Sequence, residues 1–180
     1  SRMPEYKRTN VVVKLFKKSL ALIKLGVLLL PYLLAKKKLA AVQERFGGRL
    51  RLAISGGGTL ATYLEEWIDA VGIRIVNAYG MTECSPAIAG RALNCRIYGT
   101  LGPAVAETDL RIVSEQDELV PAGVEGLIEV RGPQVTKGYY KNTEENEKSF
   151  TRDGFFRTGD LGKLTINGEL VITGRAKEII

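Results

Sequence analysis

The sequence predicts an α/β fold: an α/β sheet portion with flanking helices, followed by a small, mostly antiparallel β subdomain. Three observations predict it. Between residues 49 and 80 a strand-like run, a glycine triplet, a helical pattern and a second strand-like run follow one another, the order of a βαβ unit. From residue 99 to 174, short apolar runs alternate with turn residues, which is the texture of a small β structure. Within that half, Asn167-Gly168 separates two such runs and is a strong hairpin signal. These readings divide the chain into residues 1–98, 99–174 and a closing segment, 175–180.

Residues 1–10 are polar, and residues 11–42 are apolar and rich in lysine. Helix-favouring residues predict two helices in this stretch, broken near Gly26 or Pro31. A membrane span needs ~20 apolar residues, and Lys24 and Pro31 interrupt this stretch too early. Two readings stand for it. Its helices could pack on the rest of a larger enzyme, or its basic amphipathic surface could rest on anionic lipid as a peripheral membrane contact. A nucleic-acid surface is not expected, because aromatic residues are scarce among the lysines.

Phe46-Gly47-Gly48 closes the helical region. Arg49–Ser55 alternates as a strand does, and Gly56-Gly57-Gly58 follows. Glycines between a strand and a helix let backbone N–H groups approach a ligand closely. The triplet is not a dinucleotide fingerprint, since the spaced G-x-G-x-x-G is missing. A helix is expected from Leu60 to Val71, with Leu60, Leu64, Trp67, Ile68 and Val71 on one apolar face and Gly72 as its stop.

Ile73-Arg74-Ile75-Val76 reads as a buried strand, which Gly80 ends. In open α/β sheets, ligands bind just beyond the carboxyl ends of strands. Tyr79, Thr82 and Glu83 stand there. Tyr79 offers a flat face for a base, Thr82 a hydroxyl for a phosphate oxygen, and Glu83 an oxygen ligand for Mg²⁺. In the second half, strands are expected at Asp109–Val113, Leu127–Val130, Leu161–Ile166 and Glu169–Thr173, with a short acidic helix at Thr143–Phe150.

Composition narrows the chemistry. The chain has 180 residues and no histidine, so a histidine base, a Ser-His-Asp triad and histidine metal ligands are excluded within it. Cys84 and Cys95 are too few for a disulfide framework or a zinc site, and a reducing, cytoplasmic setting is expected. The opening residues carry no secretory signal pattern. The net charge of +6 is uneven: residues 1–51 hold 13 Lys/Arg against 2 Asp/Glu, and residues 52–180 hold 13 against 18. The basic character belongs to the first segment.

Asn77-Ala78-Tyr79-Gly80-Met81-Thr82-Glu83 resembles the Tyr-Gly-x-Thr-Glu motif of the adenylate-forming superfamily: acyl- and aryl-CoA synthetases, firefly luciferase and the adenylation domains of peptide synthetases. Further strings in the same order support the resemblance. Ser55–Leu60 is similar to that family's Ser-Gly-Gly-Ala-Pro-Leu segment, with Gly58-Thr59 in place of Ala-Pro. Gly99–Pro103 resembles its Gly-Thr-x-Gly-x-Pro, with the last proline one position early. Gly126–Gly132, Lys137–Tyr140, Asp153–Asp160 and Gly174–Ile180 continue the match.

The resemblance implies the middle part of the large N-terminal domain of such an enzyme. It implies that the backbone of Gly56, Gly57 and Gly58 lines an adenine pocket. Asp160, expected in a tight turn after Thr158-Gly159, would accept hydrogen bonds from the ribose hydroxyls of AMP, with Arg175 at the ribose or phosphate. Asn77 would touch adenine or the acyl pocket, and Gly80 and Met81 would shape the acyl end. Lys177 falls at the hinge to a C-terminal lid. The implied reaction has two steps. A carboxylate, here a long-chain fatty acid, attacks the α-phosphate of Mg-ATP, and a thiol then displaces AMP from the acyl-adenylate. ATP, Mg²⁺ and coenzyme A are the implied cofactors.

Carrier-protein and aryl-CoA ligases remain open as alternatives, as does a non-catalytic membrane- or partner-binding role driven by residues 11–42. The family's phosphate loop has no counterpart in the chain, and the lid with its lysine would lie beyond Ile180. The 180 residues alone are therefore expected to be inactive. Oligomeric state is left open.

Overall fold

The structure, a computed structural model, describes residue 37 and residues 39–58, 60–95 and 97–176. The two helices expected within residues 11–42 lie mostly outside the described residues. Among the described residues no helix is long and apolar enough to cross a membrane. The chain divides into two compact units, residues 1–50 and 51–180. In the first, residues 39–45 are helical, and the helix stops where expected. The N–H of Gly48 returns to the carbonyl of Gln43 at 2.9 Å, with Gly47 and Gly48 both in the left-handed region.

The second unit carries two sheets. In the first, β1 (Leu52–Ser55) and β2 (Arg74–Gly80) pair in parallel, with Leu52 opposite Arg74 and Ser55 opposite Asn77. A parallel pair needs a crossover, and α1 (Thr62–Ala70) supplies it. β3 (Ala87–Gly90) then returns antiparallel to β2. The turn between them is tight: the N–H of Met81 bonds the carbonyl of Pro86 at 2.8 Å, and a Cβ on Gly80 would collide with that same carbonyl.

The second sheet is antiparallel throughout, in the order β4 (Asp109–Val113), β5 (Gly126–Arg131), β6 (Phe156–Leu164), β7 (Leu170–Arg175). A short helix, α2 (Thr143–Ser149), precedes β6 and is capped by the Asn142 side chain, which accepts from the N–H of Glu145 at 3.2 Å.

Two expectations need correction. Asp160 does not sit in a tight turn. It lies inside β6, opposite Arg175 of β7. Between Arg157 and Leu161, β6 carries two more residues than β5 does between Glu129 and Leu127. Gly159, at φ 76°, absorbs the excess as a bulge. What reads as a turn in sequence is thus a kink in a continuous strand. The second correction concerns α1. The expected apolar face is only partly buried: Val71 is buried and Leu60 and Ile68 half-buried, but Leu64 and Trp67 are 38% and 51% exposed, whereas Glu65 is fully buried. An apolar stripe predicts burial only where charge cannot be compensated, and Glu65 is paired with Arg91.

The main core joins the two sheets. Ile88 and Ala89 of β3 and Cys84 pack with Ile112, Ile128, Val130, Phe156 and Leu170 of the second sheet. Residues 101–105 run between the sheets and bond to both. Gly90 N–H donates to Pro103 O at 3.1 Å, Val105 N–H to Ile88 O at 2.9 Å, and Leu101 N–H and Leu170 N–H to Leu170 O and Gly102 O at 2.8 Å each.

Gly102 lies at the closest approach. Its φ is 77°, and a Cβ there would strike the backbone of Gly90 and Arg91. Gly102→Ala should therefore cost both backbone strain and crowding, ~2 kcal/mol or more. Gly123→Ala, at φ 87° with no atom near its Cβ position, should cost strain alone, ~1 kcal/mol. Urea midpoints of the two variants check the difference, and equal midpoints would mean the sheets adjust freely at residue 102.

Cys84 gives a second prediction. Burial, and then the Glu83 charge, push its thiol up to about 11. At pH 8 only about one thiol in 10³ is then ionised, and the side chain is fully buried. Alkylation of Cys84 should be negligible in the native protein at pH 8 and become rapid in urea, as read by mass spectrometry. Fast native labelling would mean that the Thr82–Cys84 turn opens.

Candidate functional site

The carboxyl end of β2 places Asn77, Ala78, Tyr79 and Gly80 along one wall of a cavity of about 630 Å³. Gly57 and Gly58, beyond the end of β1, line it too, as do Leu60, Ala61 and Thr62 at the start of α1. The remaining walls come from Gly99, Thr100 and Leu101, and from Asp160 with residues 172–175 of β7.

Asp160 is the chemical centre. It is 7% exposed, so its carboxylate needs compensation. The Tyr79 hydroxyl donates to Asp160 Oδ2 at 2.5 Å. Arg175 Nε donates to Oδ1 at 3.0 Å. The bulge at Gly159 fixes the carboxylate's origin. The Thr158 hydroxyl donates to Ile128 O at 2.9 Å and accepts the N–H of Asp160 at 3.1 Å. Burial and the bond to Asp160 push the Tyr79 phenol far above its ordinary value, so it stays a neutral donor. A carboxylate accepts about four hydrogen bonds, and these two side chains use one on each oxygen. The free lone pairs are what the site offers to a hydroxyl-bearing ligand.

Asn77 adds a second open group. It is 5% exposed, and its Oδ1 has no hydrogen-bond partner among the described residues. A buried acceptor without a partner on a cavity wall awaits a donor from a ligand or water.

Not every expected residue reaches the cavity. Gly57, Gly58, Asn77, Tyr79, Gly80, Met81, Asp160 and Arg175 all line it, whereas Gly56, Thr82 and Glu83 do not. Gly56 packs over the carbonyl of Ala78 instead. Thr82 and Glu83 belong to a single 3₁₀ turn, Thr82–Cys84, directly after the lining residue Met81. Lys177 lies outside the described residues.

Glu83 is held in place. The Tyr139 hydroxyl donates to Glu83 Oε1 at 2.9 Å, and Thr136 N–H donates to the Glu83 carbonyl at 2.7 Å. Burial, and then this bond, raise the Tyr139 phenol above its ordinary value. Oε2 makes no hydrogen bond or ion pair among the described residues. No group of three ligating side chains occurs among them either. One oriented carboxylate with a free oxygen fits a Mg²⁺ ion that takes its other ligands from substrate phosphates and water.

The lining residues Gly99, Thr100 and Leu101 were not foreseen as site residues, although the Gly99–Pro103 string carried the signal. The buried Glu65–Arg91 pair behind them left no pattern in sequence, because the two residues lie on different elements.

Residues 17–140 match the family described as "AMP-binding enzyme". The chain is 36% identical over 160 residues to the long-chain-fatty-acid–[acyl-carrier-protein] ligase AEE15, chloroplastic, of Arabidopsis thaliana, covering 83% of this chain and 22% of that protein. It is 38% identical over 139 residues to the long-chain-fatty-acid–CoA ligase FadD15 of Mycobacterium bovis, covering 77% and 21%. Among solved structures it is similar to the o-succinylbenzoate coenzyme A synthetase MenE of Bacillus subtilis in complex with AMP. There the TM-score is 0.69 and the identity 28%, with 81% of this chain and 31% of that one covered. The chain thus spans about a fifth of the length of these curated relatives. The mixed α/β fold with its two sheets matches the N-terminal domain of adenylate-forming enzymes. By the family match and by fold, this chain belongs to the AMP-binding enzymes.

Proposed function

We propose that the chain is the nucleotide-facing part of an ATP-dependent acid–thiol ligase, which activates a long-chain fatty acid as its adenylate and passes the acyl group to coenzyme A. The observation that carries this reading is Asp160. It is a nearly buried carboxylate, oriented by Tyr79 and Arg175 and open on both oxygens toward a cavity of about 630 Å³.

In this reading Asp160 accepts the two ribose hydroxyls, which fixes the nucleoside. The Tyr79 ring and the glycine backbone at Gly57 and Gly58 flank the base, and Asn77 Oδ1 takes a donor from it. Arg175, 64% exposed at its side chain, reaches the ribose or phosphate side. Thr82 and Glu83, just past Met81, face the triphosphate end, where Thr82 donates to a phosphate oxygen. Mg²⁺ bound through Glu83 Oε2 would neutralise charge developing on the phosphates. Gly80 and Met81 bound the acyl end. Each of these roles positions or stabilises charge, and none needs a protein nucleophile, which agrees with a chain that has no histidine.

Fatty acid as substrate is supported by relatives named as long-chain-fatty-acid ligases. A second reading, transfer to a carrier protein, is supported by the acyl-carrier-protein ligase relative, which aligns with the larger share of this chain. A cytoplasmic enzyme in peripheral contact with anionic lipid through residues 11–42 accords with the basic charge of that segment.

Asp160→Ala in the complete enzyme should weaken AMP binding more than a hundredfold. Hydrogen bonds to a charged group contribute about 1.5–3 kcal/mol each, and two are lost. The variant should also stop discriminating ATP from 2′-deoxy-ATP. Calorimetric titration with AMP and 2′-deoxy-AMP reads both effects, and retained discrimination would move the ribose elsewhere.

For Glu83→Gln, the Mg²⁺ concentration giving half-maximal adenylate formation should rise at least tenfold, with partial recovery at high Mg²⁺. Mn²⁺ binding to the ATP complex, followed by electron paramagnetic resonance, should weaken in parallel. An unchanged metal dependence would remove Glu83 from the metal site.

A further inference from the structure

The pair Glu65–Arg91 is the most deeply buried ionic contact among the described residues, with both side chains at 0% exposure. Neither residue lines the cavity. Each, however, reaches segments that do. Glu65 sits in the first turn of α1, and its Oε2 accepts the N–H of Gly99 at 3.1 Å. Arg91 follows β3 directly. Its NH1 donates to Ile97 O at 2.6 Å, and its backbone N–H donates to the carbonyl of Asn77 at 3.2 Å. Its guanidinium carbon lies 5.8 Å from the centre of the Tyr98 ring.

The wall is close-fitting where these contacts meet. Gly99 has φ 78°, and a Cβ there would be strained and stand 3.2 Å from the Thr62 hydroxyl, a tight contact. Thr62 opens α1 and lines the cavity, as Gly99 and Asn77 do. The two side chains therefore tie the start of α1 to the 97–99 stretch of the wall, while the backbone N–H of Arg91 separately holds the end of β2.

Stability alone does not call for this arrangement. Two buried charges are costly to desolvate, and an apolar pair of similar volume commonly serves a fold as well or better. What an apolar pair cannot do is accept from Gly99 N–H and donate to Ile97 O.

We propose that Glu65 and Arg91 are positioning residues that hold the Gly99–Leu101 wall of the cavity in its nucleotide-binding shape. This rests on the nucleotide reading of the cavity given above.

The test uses the complete enzyme and the double variant Glu65→Leu/Arg91→Met, which keeps volume and removes both charges. Its melting temperature should stay within a few degrees of wild type. Its Kd for AMP should rise about tenfold, the loss expected for one or two hydrogen bonds. KM for ATP should rise with it, while kcat and the KM for fatty acid change less than about threefold. A purely structural pair predicts the opposite split: once folding is retained, AMP affinity equals wild type, and that result overturns the proposal. If the double variant fails to fold, Arg91→Lys carries the test. It keeps the charge against Glu65 but loses the fork that reaches Ile97 O, and the AMP Kd should rise about threefold. An unchanged value there overturns the proposal too. Asp160→Ala in the same titration separates the two readings. If it also leaves AMP binding intact, the nucleotide reading has failed; if it alone weakens binding, only the positioning role has.

Discussion

The structure depends on the compensation of one carboxylate. Asp160 is nearly buried and sits where β2, β6 and β7 converge. A charge there is tolerated only when it is paired and hydrogen-bonded. Arg175 bonds Asp160 within the second sheet, and Tyr79 comes from the first, so the Tyr79 bond that satisfies Asp160 also ties the two sheets together. The same two bonds aim the carboxylate into the cavity. Fold and site therefore rest on the same contacts: the bulge at Gly159 turns Asp160 inward, and the end of β2 supplies the donor that receives it.

Local order was legible in the sequence, and its tertiary consequences were not. The β2 run, the Asn167-Gly168 hairpin, β4, β5 and β7 follow from apolar runs and turn residues and stand close to where they are expected, whereas β6 begins at Phe156, five residues before the expected Leu161. Periodicity failed at α1, because an apolar stripe says nothing about what packs on it. Glu65 is buried there only because Arg91, on another element, neutralises it. Asp160 was legible as a site residue through a resemblance, but its backbone was misread. Thr158-Gly159 looks like a turn, and only the register between β5 and β6 reveals a bulge. Glu83 was legible as a carboxylate past a strand end. Its partner Tyr139, 56 residues later, belonged to a motif with no assigned role.

Charge in this unit falls into two kinds, and unused hydrogen-bonding capacity tells them apart. On the outer face of the second sheet, Arg111, Glu129 and Arg157 form a row across β4, β5 and β6. Asp153 meets Arg111 through both oxygens, and this holds its carboxyl down at about 2. Asp117 closes the row on Arg157, and the Phe155 ring has the guanidinium carbons of Arg111 and Arg131 at 3.8 and 4.5 Å from its centre. Every charge in the row has a partner of opposite sign, in the sheet or in the loops beside it. Glu129 is buried between its two arginines, the outer pairs to Asp153 and Asp117 are exposed and contribute little each, and a face so fully compensated leaves little for a ligand to complete. The cavity differs. Asp160 keeps lone pairs on both oxygens and Asn77 keeps a buried Oδ1, and just past the lining residue Met81 Glu83 keeps Oε2; Tyr79 orients Asp160 and Tyr139 orients Glu83. Groups held in place with capacity to spare are what preorganised binding requires, and Asp160, Asn77 and Glu83 all lie in strings that resemble an adenylate-forming enzyme.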